Sequence, residues 1–361
     1  MSASAHFSAD YREGRSKFRD ASARAGAELT TYVNPNSKGP SGEELATDVA
    51  RLGPAEASRV LLTISGTHGV EGFCGSGAQV GSFAAGLGRE LPADTALVAV
   101  HAINPHGFAW LRRVTEDNVD LNRNFVDHGG ALPLNPGYDE LAETICPREW
   151  NDAALRAAKT RLEAYAKVHG VAALQFAITG GQYKYADGIF YGGTAPVWSR
   201  RTMLEIVAKH AARARRLAII DFHTGLGPWG YGEPIVTHAP DSRGIARARQ
   251  WYGERITSPR LGNSASADVR GDILTGVEER YGGIEVTGLA LEYGTLSLQE
   301  VLDAVRADNW LHAHGTLESV KGREIKRMIR DAFYGDKPDW KEMILEQALA
   351  AERQALRGLA A

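Results

Sequence analysis

The sequence predicts an α/β fold: a mixed, mostly parallel sheet with helices on both faces. Short β-branched runs alternate along the chain with longer amphipathic stretches, which is the α/β pattern. Several of the runs are apolar on both faces, as strands inside a helix-covered sheet are. Three of them end in polar or glycine-rich clusters, and in open α/β sheets ligands sit beyond the carboxyl ends of the strands.

The strand candidates are 60–64 (VLLTI), 96–103 (ALVAVHAI), 217–222 (LAIIDF), 233–238 (EPIVTH) and 286–292 (VTGLALE). The helix candidates are 10–26, 42–51, 74–87, 148–168, 198–213, 242–253, 298–313 and 338–358. The last alternates acid and base on one face with Leu, Ile and Ala on the other, a pattern that packs on a domain surface.

Composition removes several function classes. Lys plus Arg is 41 against 44 for Asp plus Glu, a net charge of −3, so no electrostatic drive toward nucleic acid or an anionic membrane is expected. Cys74 and Cys146 form no CxxC pair and too small a set for a disulfide scaffold. No stretch approaches the roughly 20 apolar residues that span a bilayer. The polar N-terminal segment holds no apolar core of signal-peptide length. The expected location is the cytoplasm.

The cluster after the first strand, SGTHGVEG, holds His68 and Glu71. An imidazole and a carboxylate three residues apart can face one way on a single turn and reach one ion. The competing reading is a strand-to-helix turn in which the histidine caps and the glutamate opens the helix. His223 follows the buried-looking run IIDF. Taken together, His68, Glu71 and His223 are a His₂Glu set, as in zinc hydrolases that keep a fourth position for water. Asp221 projects on the same side of the strand as His223, either as a partner for an imidazole N–H or as a turn cap.

HGVE at 68–71, NPHGF at 104–108, R-x-T-x-x-x-VDLNRNF ending at Phe125, DFHTG at 221–225 and LEYGT at 291–295 follow the order and rough spacing of the zinc carboxypeptidase superfamily. The chain resembles most a bacterial branch described as a domain of unknown function. The resemblance implies one Zn²⁺ per chain on His68, Glu71 and His223, with Glu292 as the catalytic glutamate. It implies that Arg113 polarises the scissile carbonyl and that Asn122 and Arg123 hold the substrate's terminal carboxylate. It covers nearly the whole chain, so residues 1–361 read as a single domain with an insert-like loop around 170–200 and a helical tail at 318–361. The family's mobile active-site tyrosine has no assigned counterpart; Tyr183, Tyr185, Tyr191, Tyr231 and Tyr281 are all candidates.

These residue types suit the chemistry on their own terms. A carboxylate near an activated water takes its proton and passes it to a leaving amine. Burial of Glu292 at the end of an apolar run raises its pKa toward a useful range. Arg113 is a fixed cation for a developing oxyanion, with Arg112 as a rival, and Arg123 offers a planar fork for a carboxylate. Cys74 reads as a small buried residue. GVEGFCGSG lacks the lysine of a phosphate loop. The expected function is zinc-dependent hydrolysis of an amide next to a free carboxylate, on a peptide or an N-acyl amino acid. The alternatives are a deacylase of N-acyl amino acids of the aspartoacylase and succinylglutamate desuccinylase kind, and a non-catalytic binding protein on the same fold.

Overall fold

The computed structural model describes residues 2–361; Met1 lies outside the described residues. The strands are β1 (Glu28–Lys38), β2 (Glu44–Leu52), β3 (Arg59–Ile64), β4 (Thr95–His101), β5 (Arg216–Trp229), β6 (Gly232–Ile235) and β7 (Glu285–Gly294). They form one sheet in the order β1-β2-β4-β3-β5-β7-β6. β4, β3, β5 and β7 run parallel. β2 lies antiparallel between β1 and β4, and β6 is antiparallel to β7.

The helices before the middle of the chain are α1 (Tyr11–Arg24), α2 (Gly72–Ala85), α3 (Pro105–Ala109), α4 (Pro136–Ile145), α5 (Asp152–His169) and α6 (Val171–Thr179). They are followed by α7 (Trp198–Ala211), α8 (Arg243–Tyr252), α9 (Ile273–Arg280), α10 (Leu298–His314), α11 (Val320–Phe333) and α12 (Pro338–Ala360). No helix among the described residues is long and apolar enough to cross a membrane.

The two-residue period of the strands divides the interior into two cores. Leu61 of β3, Leu97 and Ala99 of β4, and Ala218, Ile220 and Phe222 of β5 face Phe18, Phe73 and Ile344 of α1, α2 and α12. Their neighbours Val60, Leu62, Ile64, Val98, Val100, Leu217 and Ile219 face Met203 and Ile206 of α7 and Leu274 and Val277 of α9. Helices therefore cover both faces, as the sequence predicts. A third cluster, built from α4, α6, α10 and α11, meets the sheet where Val301 and Phe333 lie against Gly225 of β5.

Helix α2 runs unusually close to its neighbours. A Cβ added at Gly75 would lie 2.6 Å from the Ser65 side chain, at Gly77 2.4 Å from the Phe7 ring, and at Gly81 2.3 Å from Leu345 of α12.

All five strand candidates are strands, with β5 running on to Trp229 and β6 stopping at Ile235. The segment 42–51 is not the expected helix; it lies in β2. Hydrogen bonding to both β1 and β4 overrides its helical propensity. Its buried Asp48 is matched from far along the chain by Arg15 and Arg19, each at 2.7 Å. The segment around 170–200 is not wholly loop, because α6 occupies its first part. The tail 318–361 consists of α11 and α12.

Candidate metal centre

The site grows from the turn after β3. Gly66 adopts φ +67°, and a Cβ on Gly69 would lie 2.1 Å from the Gly107 backbone, so HGVE and NPHGF meet main chain to main chain. The Asn104 side chain caps α3 by accepting from the Gly107 amide at 2.9 Å. The amides of Gly69 and Val70 donate to the carbonyls of Arg113 and Arg112 at 3.1 and 2.8 Å. These contacts bring Arg113 beside Glu71.

His68 and His223 approach Glu71 from two sides. His68 Nδ1 lies 2.9 Å from Glu71 Oε1, and His223 Nδ1 lies 3.0 Å from Oε2. One donor atom from each of the three falls within 4.8 Å of the other two, and all three residues are buried. The Thr224 amide donates to Glu71 Oε2 at 3.0 Å. β3 and β5 are adjacent, and β4, which follows β3 in the chain, lies on the far side of β3. The group thus sits where the strand order reverses, a usual place for ligands.

The far nitrogen of each ring meets an aspartate. His223 Nε2 is 2.7 Å from Asp221 Oδ2, while Asp221 Oδ1 accepts from the Thr67 hydroxyl at 2.8 Å. Asp221 therefore holds an imidazole and caps no turn. His68 Nε2 is 3.3 Å from Asp120 Oδ1 and 2.8 Å from Arg113 Nη2. Asp120 was not singled out in the sequence; its place two residues before Asn122 in VDLNRNF was the available signal. Its Oδ2 accepts from Arg113 Nε at 3.0 Å, and its Oδ1 accepts from the Asn122 amide at 3.0 Å.

Arg113, rather than Arg112, reaches the centre. It donates from Nη1 to Glu71 Oε1 at 3.1 Å, and its guanidinium stands 5.2 Å over the Phe190 ring. Arg112 turns away to Asp308 at 3.2 Å. Arg123 is buried, with Nη1 donating to the Asn122 carbonyl at 3.0 Å and Nη2 to that of Thr179. Its guanidinium also stacks over Phe190, at 5.5 Å. Asn122 Oδ1 accepts from the Ile273 amide at 3.0 Å. Glu292 pairs in register with His223 across β5 and β7, and its Oε1 accepts from the Leu226 amide at 3.0 Å.

Burial and paired charge pull these groups in opposite directions. Burial opposes ionisation of Glu71, yet the two histidines hold its carboxyl well below the usual carboxylate range. Burial likewise opposes the Asp120 carboxylate, and Arg113 and Arg123 more than compensate. Burial lowers His223, but Asp221 lifts it well above an ordinary imidazole. Burial, then the charge of Glu71, pushes Glu292 up to about 8.

His68, Glu71, Arg113, Asn122, Arg123, His223 and Glu292 all line one cavity of about 950 Å³. None of the five candidate tyrosines lines it. Tyr183 donates to the Arg123 carbonyl at 2.6 Å and Tyr281 to that of Leu204 at 2.7 Å. Two imidazole nitrogens and a carboxylate converging in a buried pocket, with His223 held from behind by Asp221 and His68 flanked by Arg113 and Asp120, fit a divalent metal.

A family model described as a protein of unknown function, DUF2817, matches residues 7–347. The chain belongs to DUF2817. No curated protein matches this DUF2817 chain. Among solved structures it is similar to bovine thrombin-activatable fibrinolysis inhibitor in complex with tick carboxypeptidase inhibitor. That pair shares 10% identity and a TM-score of 0.51, over 98% of this chain and 97% of the other. Carboxypeptidase A from Helicoverpa armigera gives 12% identity and a TM-score of 0.46, over 90% and 73%. An aspartoacylase family protein from Mesorhizobium loti gives 14% and 0.34, over 81% and 68%. The DUF2817 chain thus has a carboxypeptidase-like fold, in keeping with the resemblance read from its motifs.

Proposed function

We propose that this chain is a zinc-dependent amidohydrolase of the carboxypeptidase type, cleaving an amide next to a free carboxylate on a peptide or an N-acyl amino acid. The observation that carries the reading is the convergence of His68, Glu71 and His223 in one cavity with Glu292, Arg113, Asn122 and Arg123. His68, Glu71 and His223 would hold one Zn²⁺, which when bound supplies Lewis acidity and lowers the pKa of water toward ~7.

The remaining work falls to side chains. Glu292, with Oε1 fixed by the Leu226 amide, uses Oε2 to take a proton from water and pass it to the leaving amine. A pKa pushed up to about 8 suits a group that must both accept and return that proton near neutral pH. Arg113 carries a positive charge beside the metal group for the carbonyl oxygen as it becomes negative. Asn122 and Arg123 hold the substrate carboxylate, with Arg123 positioned by the Asn122 and Thr179 carbonyls and the Phe190 face.

Elemental analysis of protein purified without added metal is the first test, with one zinc per chain expected. Its companion is product chromatography on panels of peptides and N-acyl amino acids. Absence of a transition metal overturns the reading; a full complement of zinc with no turnover on either panel favours a non-catalytic binding protein.

A further inference from the structure

The loop at 180–193 wraps the two arginines of the site. Gly181, at φ +93°, lies so close that a Cβ there would stand 2.7 Å from the Arg123 side chain. The Gln182 amide donates to the Phe190 carbonyl at 3.1 Å, and the Gly192 amide to the Gln182 carbonyl at 2.8 Å, so the loop closes on itself. Two bonds tie it to the site: the Tyr183 hydroxyl donates to the Arg123 carbonyl at 2.6 Å, and the Asp120 amide to the Tyr191 carbonyl at 2.7 Å.

Phe190 is the residue that this closure holds in place. Its φ is +54°, in the left-handed region that a bulky side chain seldom adopts, so the backbone is strained here. The strained turn presents a buried, cavity-lining ring to two cations at once, with the guanidinium carbons of Arg113 and Arg123 at 5.2 and 5.5 Å from its centroid. The two like charges repel, and they are unequally balanced. Arg113 pairs with Asp120 at 3.0 Å and with Glu71 at 3.1 Å. Arg123 comes only within 4.0 Å of Asp120, and its buried Nε has no hydrogen-bond partner among the described residues. An aromatic face attracts a guanidinium, most strongly away from water. A rigid ring in contact with both cations fixes where each stands relative to the other.

We propose that Phe190 is a positioning residue that sets the spacing between Arg113, which meets the scissile carbonyl, and Arg123, which holds the carboxylate. The spacing selects substrates whose carboxylate is on the carbon next to the amide nitrogen over those that carry it one carbon farther away. The roles of the two arginines rest on the amidohydrolase reading above; the hold of one ring on both cations does not.

Two measurements test the positioning role and the reading separately. The first needs no substrate: nitrogen–proton correlation spectra of the two arginine Nε groups, identified through Arg113→Lys and Arg123→Lys. One Nε is hydrogen-bonded to Asp120 and the other is buried, so both protons are shielded from exchange with water. Both signals should carry the ring-current shift of a stacked guanidinium, which Phe190→Leu removes at both positions and Phe190→Tyr keeps. The second is hydrolysis, by the zinc-loaded protein, of acetyl-leucine and benzoyl-glycyl-leucine, each against its β-homoleucine counterpart. The native protein and Phe190→Tyr should prefer the leucine compounds. Phe190→Leu should lower kcat/KM on them by about five- to thirtyfold, the strength of a desolvated cation–aromatic contact, and narrow the preference. Leu141→Ala, in the same hydrophobic cluster but away from the cavity, controls for lost stability and should leave signals and preference unmoved. Loss of both shifts in Phe190→Leu, with none of the four compounds hydrolysed, upholds the positioning role and counts against the amidohydrolase. Hydrolysis with either Nε signal unmoved in Phe190→Leu, or with its preference unchanged, overturns the role of Phe190 and leaves the amidohydrolase standing.

Discussion

Replacing Asp120 by asparagine removes one negative charge from the centre and almost no volume. Asp120 stands between His68 Nε2 at 3.3 Å and Arg113 Nε at 3.0 Å, and it is fully buried. Asparagine can still accept from the Asn122 amide through the oxygen that also faces the imidazole, but its NH₂ then faces the Arg113 Nε donor. Loss of a carboxylate behind a metal-binding histidine costs about 10–100-fold in metal affinity. Breaking a buried charge pair costs ~3–5 kcal/mol of stability, against a usual total of ~5–15 kcal/mol, so the variant should remain folded with a lowered Tm. Zinc affinity is measured by competition with a chromophoric chelator, and stability by thermal unfolding of the metal-free protein. Asp308→Asn is the control: Asp308 is a buried carboxylate 3.2 Å from Arg112 that does not line the cavity. It should lose comparable stability and keep its zinc affinity. Unchanged zinc affinity in Asp120→Asn, or an equal loss in Asp308→Asn, would refute the assignment of Asp120 as the partner that orients His68.

Arg123→Ala should act mainly on KM, by about two to three orders of magnitude, because a carboxylate bound in both ground and transition states is lost. Glu292→Gln should lower kcat by about 10²–10⁴ with zinc retained; loss of zinc would make Glu292 a ligand and remove Glu71 from that role. A fourth prediction lies away from the site, at Glu352 of α12. Burial pushes this carboxyl up to about 8, and it accepts a hydrogen bond from Ser82. The folded protein then holds a proton that the unfolded chain releases near 4.5, so stability is full below that pH and falls as pH rises toward about 8. Glu352→Gln should therefore raise Tm near pH 8 and do progressively less as pH falls toward 5. A Tm difference independent of pH would show that Glu352 is not the group responsible.

What the sequence made legible followed from local pattern. β3, β4, β5 and β7 hold short apolar runs rich in β-branched residues, whose length and composition favour a strand over a buried helix. HGVE, VDLNRNF and the strand-end histidine carry local spacing, and the residues they single out, His68, Glu71, His223, Arg113 and Arg123, line one cavity. β2 was misread because its support is non-local: Asp48 in a strand makes sense only once Arg15, Arg19 and Thr31 have come to meet it. Asp120 escaped for the same reason, since nothing in VDLNRNF points toward a histidine some fifty residues earlier. Arg112 and Arg113 differ by one position, and the Arg112 and Arg113 carbonyls bound to HGVE fix which guanidinium turns inward. Tyr183 and Tyr281 stayed ambiguous because their hydroxyls find main-chain carbonyls that no sequence pattern announces.

The close packing of α2 bears on the order in which the protein assembles. Glycines at 75, 77 and 81 together weaken that helix by roughly 1.5–3 kcal/mol relative to alanine. A helix of 14 residues is marginal alone even without them. Its persistence depends on what closes over the glycines: Phe7 near the start of the chain and Leu345 near its end. The HGVE turn leads directly into this helix, so its shape should depend on Phe7 and Leu345 being in place against the helix. On the ribosome, competence to bind metal should be among the last properties acquired, and a nascent chain ending before α12 should lack it.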